Sequence, residues 1–149
     1  MADQMSKEKR SYTMSKIRAR GNASTELKMM GLLKENRIAG WRRHQKLPGN
    51  PDFVFRKEKV ALFIDGCFWH KCPKCFIPPK SNKEYWTKKI ANNRARDRRI
   101  NKELRGKGWE VVRIWEHSLK RPKWVVNKLK RALDNSKKIW LGIFIISSL

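Results

Sequence analysis

The chain has 149 residues, with 37 Lys and Arg against 13 Asp and Glu, for a formal net charge of +24 at pH 7. That length suits one domain with one core. So large a cationic excess repels itself and favours a polyanionic partner, either nucleic acid or an anionic membrane surface. Seven tryptophans exclude a disordered basic tail, because disordered segments are poor in aromatics.

Residues 1–22 carry charge without a strong apolar period and read as a basic arm. Arg10 to Arg20, R-S-Y-T-M-S-K-I-R-A-R, mixes cations with Tyr12, Met14 and Ile17, which suits an arm lying on a phosphate backbone and presenting a few apolar tips. The first ten residues contain no apolar h-region, so no secretory leader is expected and the expected location is cytoplasmic. Asn22 or Ser24 is placed to cap a helix running to about Arg37, with Leu27, Met30 and Leu33 on one face. Glu26 in its first turn complements the helix dipole. Gly40 breaks the pattern, Trp41 to Gln45 reads as a short strand, and L-P-G-N-P (Leu47 to Pro51) is dense in turn residues.

Phe53 to Phe55 and Val60 to Ile64 are strand-like, with R-K-E-K between them as a hairpin loop. The second run is apolar throughout and reads as a central strand buried on both faces. S-N-K-E (Ser81 to Glu84) matches a capping box and opens a long basic helix through Tyr85, Trp86, Ile90, Ile100 and Leu104, which G-K-G at Gly106 to Gly108 stops. Arg94, Arg96, Arg98 and Arg99 crowd its polar positions, a charge density that suits phosphate contact. Trp109 to Trp115 reads as another strand, and Pro122 opens a last helix with Val125, Leu129 and Leu133 at helical spacing. The tail Ile139 to Ile146 falls short of the ~20 residues of a membrane-spanning helix and is open to reading as an edge strand, an interfacial anchor or a contact surface. The expected layout is an arm (1–22), one α/β domain (23–138) and a hydrophobic tail (139–149).

Two constellations carry chemistry. Cys67, Cys72 and Cys75 form C-x4-C-x2-C, and clustered thiolates suit tetrahedral zinc, which needs a fourth ligand. His70 lies in the same loop, His117 follows the strand ending in W-E, and His44 is the remaining histidine. His117 is favoured, because a neighbouring strand can return it to the cluster and so pin two parts of the fold. Asp52, Asp65 and His70 can gather at one end of the hairpin. A carboxylate there can hold Mg²⁺ and a neutral imidazole can take a proton from water, which is sufficient machinery for phosphodiester hydrolysis. Turn formation accounts equally well for either aspartate. Phe68 and Trp69, beside basic charge, can stack on bases or wedge between base pairs, or else pack in the core. The residues alone therefore support a zinc-containing nucleic-acid binder, with nuclease activity as the sharper reading.

P-G-N-P-D-F-V-F, V-A-L-F-I-D-G-C-F-W-H-K-C, N-x3-D-R-R (Asn93 to Arg99) and the G-W…W-E stretch (Gly108 to Glu116) together resemble the very short patch repair endonucleases, from about Arg10 to Leu133. The resemblance implies a restriction-endonuclease-like fold, a central mixed sheet flanked by helices. It implies a Mg²⁺-dependent nick 5′ to the mispaired thymine of a T·G mismatch arising from 5-methylcytosine deamination, in a bacterium or archaeon. By position, Asp52 matches the metal carboxylate, the Ile64 carbonyl a second magnesium contact, and His70 the catalytic histidine. Glu26 and Asp97 match supporting acids. Asp65 stands where the family also carries histidine. Met14, Phe68 and Trp69 match the wedge, with Arg94 and Arg98 expected on DNA, and Cys67, Cys72, Cys75 and His117 match the zinc ligands. The implied partners are mismatched double-stranded DNA and, around it, mismatch-repair proteins and a DNA polymerase, with no membrane. The alternatives are a non-catalytic zinc-containing DNA-binding module and a nickase of different specificity.

Overall fold

The computed structural model describes Ser6 and residues 25–146. The rest of the arm, Met14 included, lies outside the described residues. Helix α1 spans Glu26–Glu35, strand β1 Trp41–Arg42, β2 Phe53–Phe55, β3 Val60–Asp65, helix α2 Lys83–Gly106, β4 Glu110–Trp115, a 3₁₀ turn Glu116–Lys120, and helix α3 Pro122–Ile146. This is the expected element order, with one added 3₁₀ turn.

The four strands form one sheet in the order β1-β2-β3-β4. The first two pairings are antiparallel and β3 runs parallel to β4, so the sheet is mixed. A parallel neighbour requires a crossover, and α2 supplies it. Side chains of β3 alternate between two cores. Val60 and Leu62 pack with Met29 and Leu33 of α1 and with Val125 and Leu129 of α3. Ala61 and Phe63 pack with Ile100 and Leu104 of α2 on the opposite face. A strand enclosed on both sides must be apolar at every position, which is why V-A-L-F-I shows no alternation. The central mixed sheet flanked by helices is therefore present as expected.

Several local expectations are corrected. In α1 the buried positions are Glu26, Met29 and Leu33. Leu27 is 41% exposed, because the face that meets the sheet is turned one residue from the face the spacing favoured. The helix starts after Thr25 without a side-chain cap. The N-cap position of α2 falls on Asn82 rather than on Ser81, in the left-handed region (φ 49°), and Asn82 gives no side-chain cap. The tail is no strand, since residues 139–146 prolong α3. Among the described residues, no helix is long and apolar enough to cross a membrane.

The turn before β2 is fixed by packing. Gly49 has φ +78°, and a Cβ there would lie 2.7 Å from Cγ2 of Ile100. Only glycine allows both that conformation and so close an approach. Gly49 thereby seats the Leu47–Pro51 turn on α2 and sets where Asp52 emerges.

Candidate active site and metal centre

Sheet register gathers the acidic residues. Phe53 pairs with Leu62, so Asp52 falls beside the end of β3, and the Ile64 amide donates to its Oδ2 at 2.7 Å. Asp65 closes β3 and is buried. Asp97 and Asn93 reach the same place from α2, one helical turn apart. A cleft of about 740 Å³ results, lined among others by Glu26, Asp52, Ile64, Asp65, His70 and Asp97.

His70 sits at the wall of this cleft. Its Nδ1 is 2.5 Å from Asp97 Oδ2 and 4.0 Å from Asp65 Oδ1. An ionised Asp97 accepts from Nδ1–H, which leaves Nε2 as the nitrogen with the lone pair. Burial pushes the Asp52 carboxyl up to about 6. The Ile64 amide works against that rise, while the nearby Glu26 and Asp65 carboxylates add to it. A half-buried carboxylate crowded by like charge, with a strand backbone beside it, is a set of hard oxygen donors that suits a divalent cation.

Two arginines that the sequence reading passed over hold this array. Arg43 ion-pairs with Glu26, so Glu26 does more than complement the dipole of α1. Arg113, in β4, donates from Nη1 to Asp65 Oδ1 at 2.7 Å and from Nη2 to Asp97 Oδ1 at 3.4 Å. Its Nε donates to Asn101 Oδ1 at 2.9 Å, and its guanidinium lies 4.4 Å from the Phe63 ring centroid. Strand spacing carried the signal for Arg113: it is the polar interruption of E-V-V-R-I-W, in register with Phe63.

The cysteine loop folds over the ends of β3 and β4. Asp65 pairs with Trp115, so Cys67 and His117 each lie two residues past a matched pair on adjacent parallel strands. His117 Nδ1 stands 3.3, 3.5 and 3.4 Å from the sulfurs of Cys67, Cys72 and Cys75. Tetrahedral zinc, with Zn–S near ~2.3 Å and Zn–N near ~2.0 Å, separates sulfur and nitrogen by about 3.5 Å. Hydrogen bonding to Cys67 and Cys72, together with burial, pushes the Cys75 thiol up to about 12. Burial also opposes ionisation of Cys72, but the amides of Lys74 and Cys75 carry its pKa below the ordinary thiol value. The sulfur–nitrogen distances and the three-thiol, one-imidazole donor set are both consistent with a zinc site. His70 stands apart from the cluster, and His44 is exposed in a left-handed turn at φ 55°.

Phe68 and Trp69 are neither fully buried nor free. They meet edge to face at 5.3 Å, and both pack on Trp86, at 5.2 and 5.7 Å. Trp86 thus completes an aromatic group of which the sequence reading singled out only two members. Asn93 Nδ2 donates to the Trp69 carbonyl at 3.1 Å, tying α2 to the loop. Arg94 and Arg98 are exposed and flank Asp97 on the side of Lys71 and Cys72. The α2 residues that line the acidic cleft beside Asp97 and Ile100 are instead Lys89, Asn93 and Arg96.

Comparison with known proteins points the same way. Residues 2–75 match the family described as DNA mismatch endonuclease Vsr. The chain is 39% identical over 139 residues to the type II nicking enzyme V.XorIIP of Xanthomonas oryzae, covering 91% of this chain and all of that enzyme. It is 37% identical over 122 residues to the DNA mismatch endonuclease Vsr of Escherichia coli, covering 80% of this chain and 77% of that protein. A shorter stretch, 52% identical over 67 residues, covers 45% of this chain and 40% of the type II nicking enzyme V.NaeI of Lentzea aerocolonigenes. A carboxylate–imidazole cleft beside a Cys3His cluster, on a chain so extensively shared with these enzymes, leads to one conclusion: the chain belongs to the Vsr family of DNA mismatch endonucleases.

Proposed function

We propose that this protein nicks one strand of duplex DNA on the 5′ side of the mispaired thymine in a T·G mismatch, the lesion left by deamination of 5-methylcytosine, by Mg²⁺-dependent hydrolysis. The observation that carries the reading is the convergence of Asp52 with a His70–Asp97 pair in one cleft, with His70 free of the cysteine cluster.

Asp52 and the Ile64 carbonyl would hold Mg²⁺, which when bound supplies charge stabilisation at the scissile phosphate. Asp97 fixes the tautomer and direction of His70, so that Nε2 accepts the proton of the attacking water. Arg113 holds Asp65 and Asp97 in place through its two terminal guanidinium nitrogens. Glu26, held by Arg43, adds negative charge next to Asp52 and so favours a cation there. Cys67, Cys72, Cys75 and His117 would clamp the loop through zinc, which fixes Phe68 and Trp69 for insertion into the duplex, with Trp86 behind them. Arg94 and Arg98 would contact phosphates.

The deciding experiment is strand cleavage of a labelled T·G duplex with and without Mg²⁺. A single nick at the mismatched strand that disappears with EDTA supports the proposal. Equal cleavage of matched duplex would point to a nickase of different specificity, a reading favoured by the nicking enzymes among the relatives. Binding without any cleavage would reduce the protein to a DNA-binding module.

A further inference from the structure

Strand β4 is the outermost strand on its side of the sheet. The Glu110 amide bonds to Lys59 O at 2.8 Å, so Glu110 faces β3 and the alternate residues Val111 and Arg113 turn their backbone groups to the open edge. Along that edge runs a cleft of about 600 Å³ between α2 and α3. Arg105 of α2 and Lys128 and Arg131 of α3 line it, with Trp124, and Glu110 is the one carboxylate among its described lining residues. Among the described residues, no carboxylate lies within ion-pair distance of Arg105, Lys128 or Arg131. Lys128 Nζ donates to the Arg113 carbonyl at 2.8 Å and lies 5.2 Å from the Trp124 ring centroid.

We infer that this cleft is a second nucleic-acid contact, a groove that takes the phosphodiester backbone of the substrate beyond the cleavage site. Three cations with no carboxylate partner among the described residues suit an anion of matching extent. Trp124 is 41% exposed and offers a face for a sugar or base. The groove adjoins the acidic cleft, with Arg113 lining both, so it lies where a bound duplex extending past the site can reach it. An added protein strand is disfavoured. The outward Arg113 carbonyl is already taken by Lys128, and a lysine laid on an edge blocks strand addition. Burial lowers the Lys128 pKa, a cost that a bound phosphate would offset.

The inference rests on the nickase reading only for which DNA is bound. It is tested with Arg105→Ala/Arg131→Ala, two exposed positions outside the acidic cleft, on T·G duplexes trimmed stepwise on each side of the mismatch. On long duplex, kcat should be unchanged, KM should rise, and the slope of log affinity against log salt should become shallower by about 1.8, near 0.9 per lost phosphate contact. The difference should vanish once one flank is trimmed below the reach of the groove, and Arg105→Lys/Arg131→Lys should restore the slope. An unchanged salt slope overturns the inference, as does a loss that persists on the shortest duplex. So does a variant whose only defect is in binding an acidic peptide such as polyglutamate. Intact nicking with an unchanged slope would remove the groove and leave the activity; a shallower slope with no nicking by the parent protein would do the reverse.

Discussion

The Ile64 amide donates to Asp52 Oδ2 at 2.7 Å, which joins the residue entering β2 to the C-terminal end of the central strand. This bond lowers the pKa of a carboxyl that burial, the larger effect, and two neighbouring acids raise, leaving it at about 6. The same arrangement that makes Asp52 costly to ionise makes it a strong cation ligand.

Asp52→Asn should abolish nicking, with a fall of about 10³-fold or more, equivalent to ~4 kcal/mol in the barrier. DNA binding should change little, because the substitution leaves the cationic surfaces in place. Single-turnover cleavage beside a binding titration checks both. Nicking within tenfold of the parent would remove Asp52 from the reaction.

The same residue sets a pH dependence. Asp52 titrates near 3.8 in the unfolded chain and at about 6 in the folded one, so between these values the folded state holds more protons than the unfolded. Metal-free stability should therefore fall as pH rises from about 4 to 6 and stay lower above that, by about 2 kcal/mol after allowance for partial exposure. Asp52→Asn should remove that fall, as denaturation at pH 5 and pH 8 in EDTA would show. Magnesium affinity should run the opposite way and weaken below pH 6, where the proton competes.

The two histidines should separate cleanly. His117→Ala should lower bound zinc from one equivalent and destabilise the fold, since a structural zinc contributes folding free energy directly. His70→Ala should retain the zinc and lose about 10²- to 10⁴-fold in nicking rate. Elemental analysis and thermal melting decide this. Loss of zinc from the His70 variant would transfer that residue from the reaction to the metal centre.

Arg113→Met should leave Asp65 buried without its partner at a cost of about 3–5 kcal/mol. Adding Asp65→Asn should recover part of that loss, because the uncompensated charge is then gone. A double-mutant cycle in denaturant measures the coupling, which should reach at least ~1 kcal/mol. Additive losses would mean that the 2.7 Å contact contributes nothing to stability.

The sequence by itself determined the element order, the doubly buried V-A-L-F-I strand and the cysteine cluster, because each is a local pattern. Apolar runs follow the period of their element, and thiols spaced within one loop stay together however the chain folds. Asp52, Asp65 and His70 lay in one short block, so their neighbourhood was legible too. Tertiary structure alone decided how the side chains of the site pair, including those of Glu26 and Asp97, which only the family resemblance had marked. Asp97 is 27 residues from the histidine it holds, and Arg113 is 48 residues from Asp65. Arg43 reaches Glu26 across 17 residues. Such pairs leave no periodic trace, since they depend on strand register and on how α2 lies over the sheet. The exposed Leu27 and the N-cap at Asn82 rather than Ser81 have the same origin. Packing of a helix against a sheet outweighs the few tenths to about 1 kcal/mol that a cap or a local spacing preference contributes.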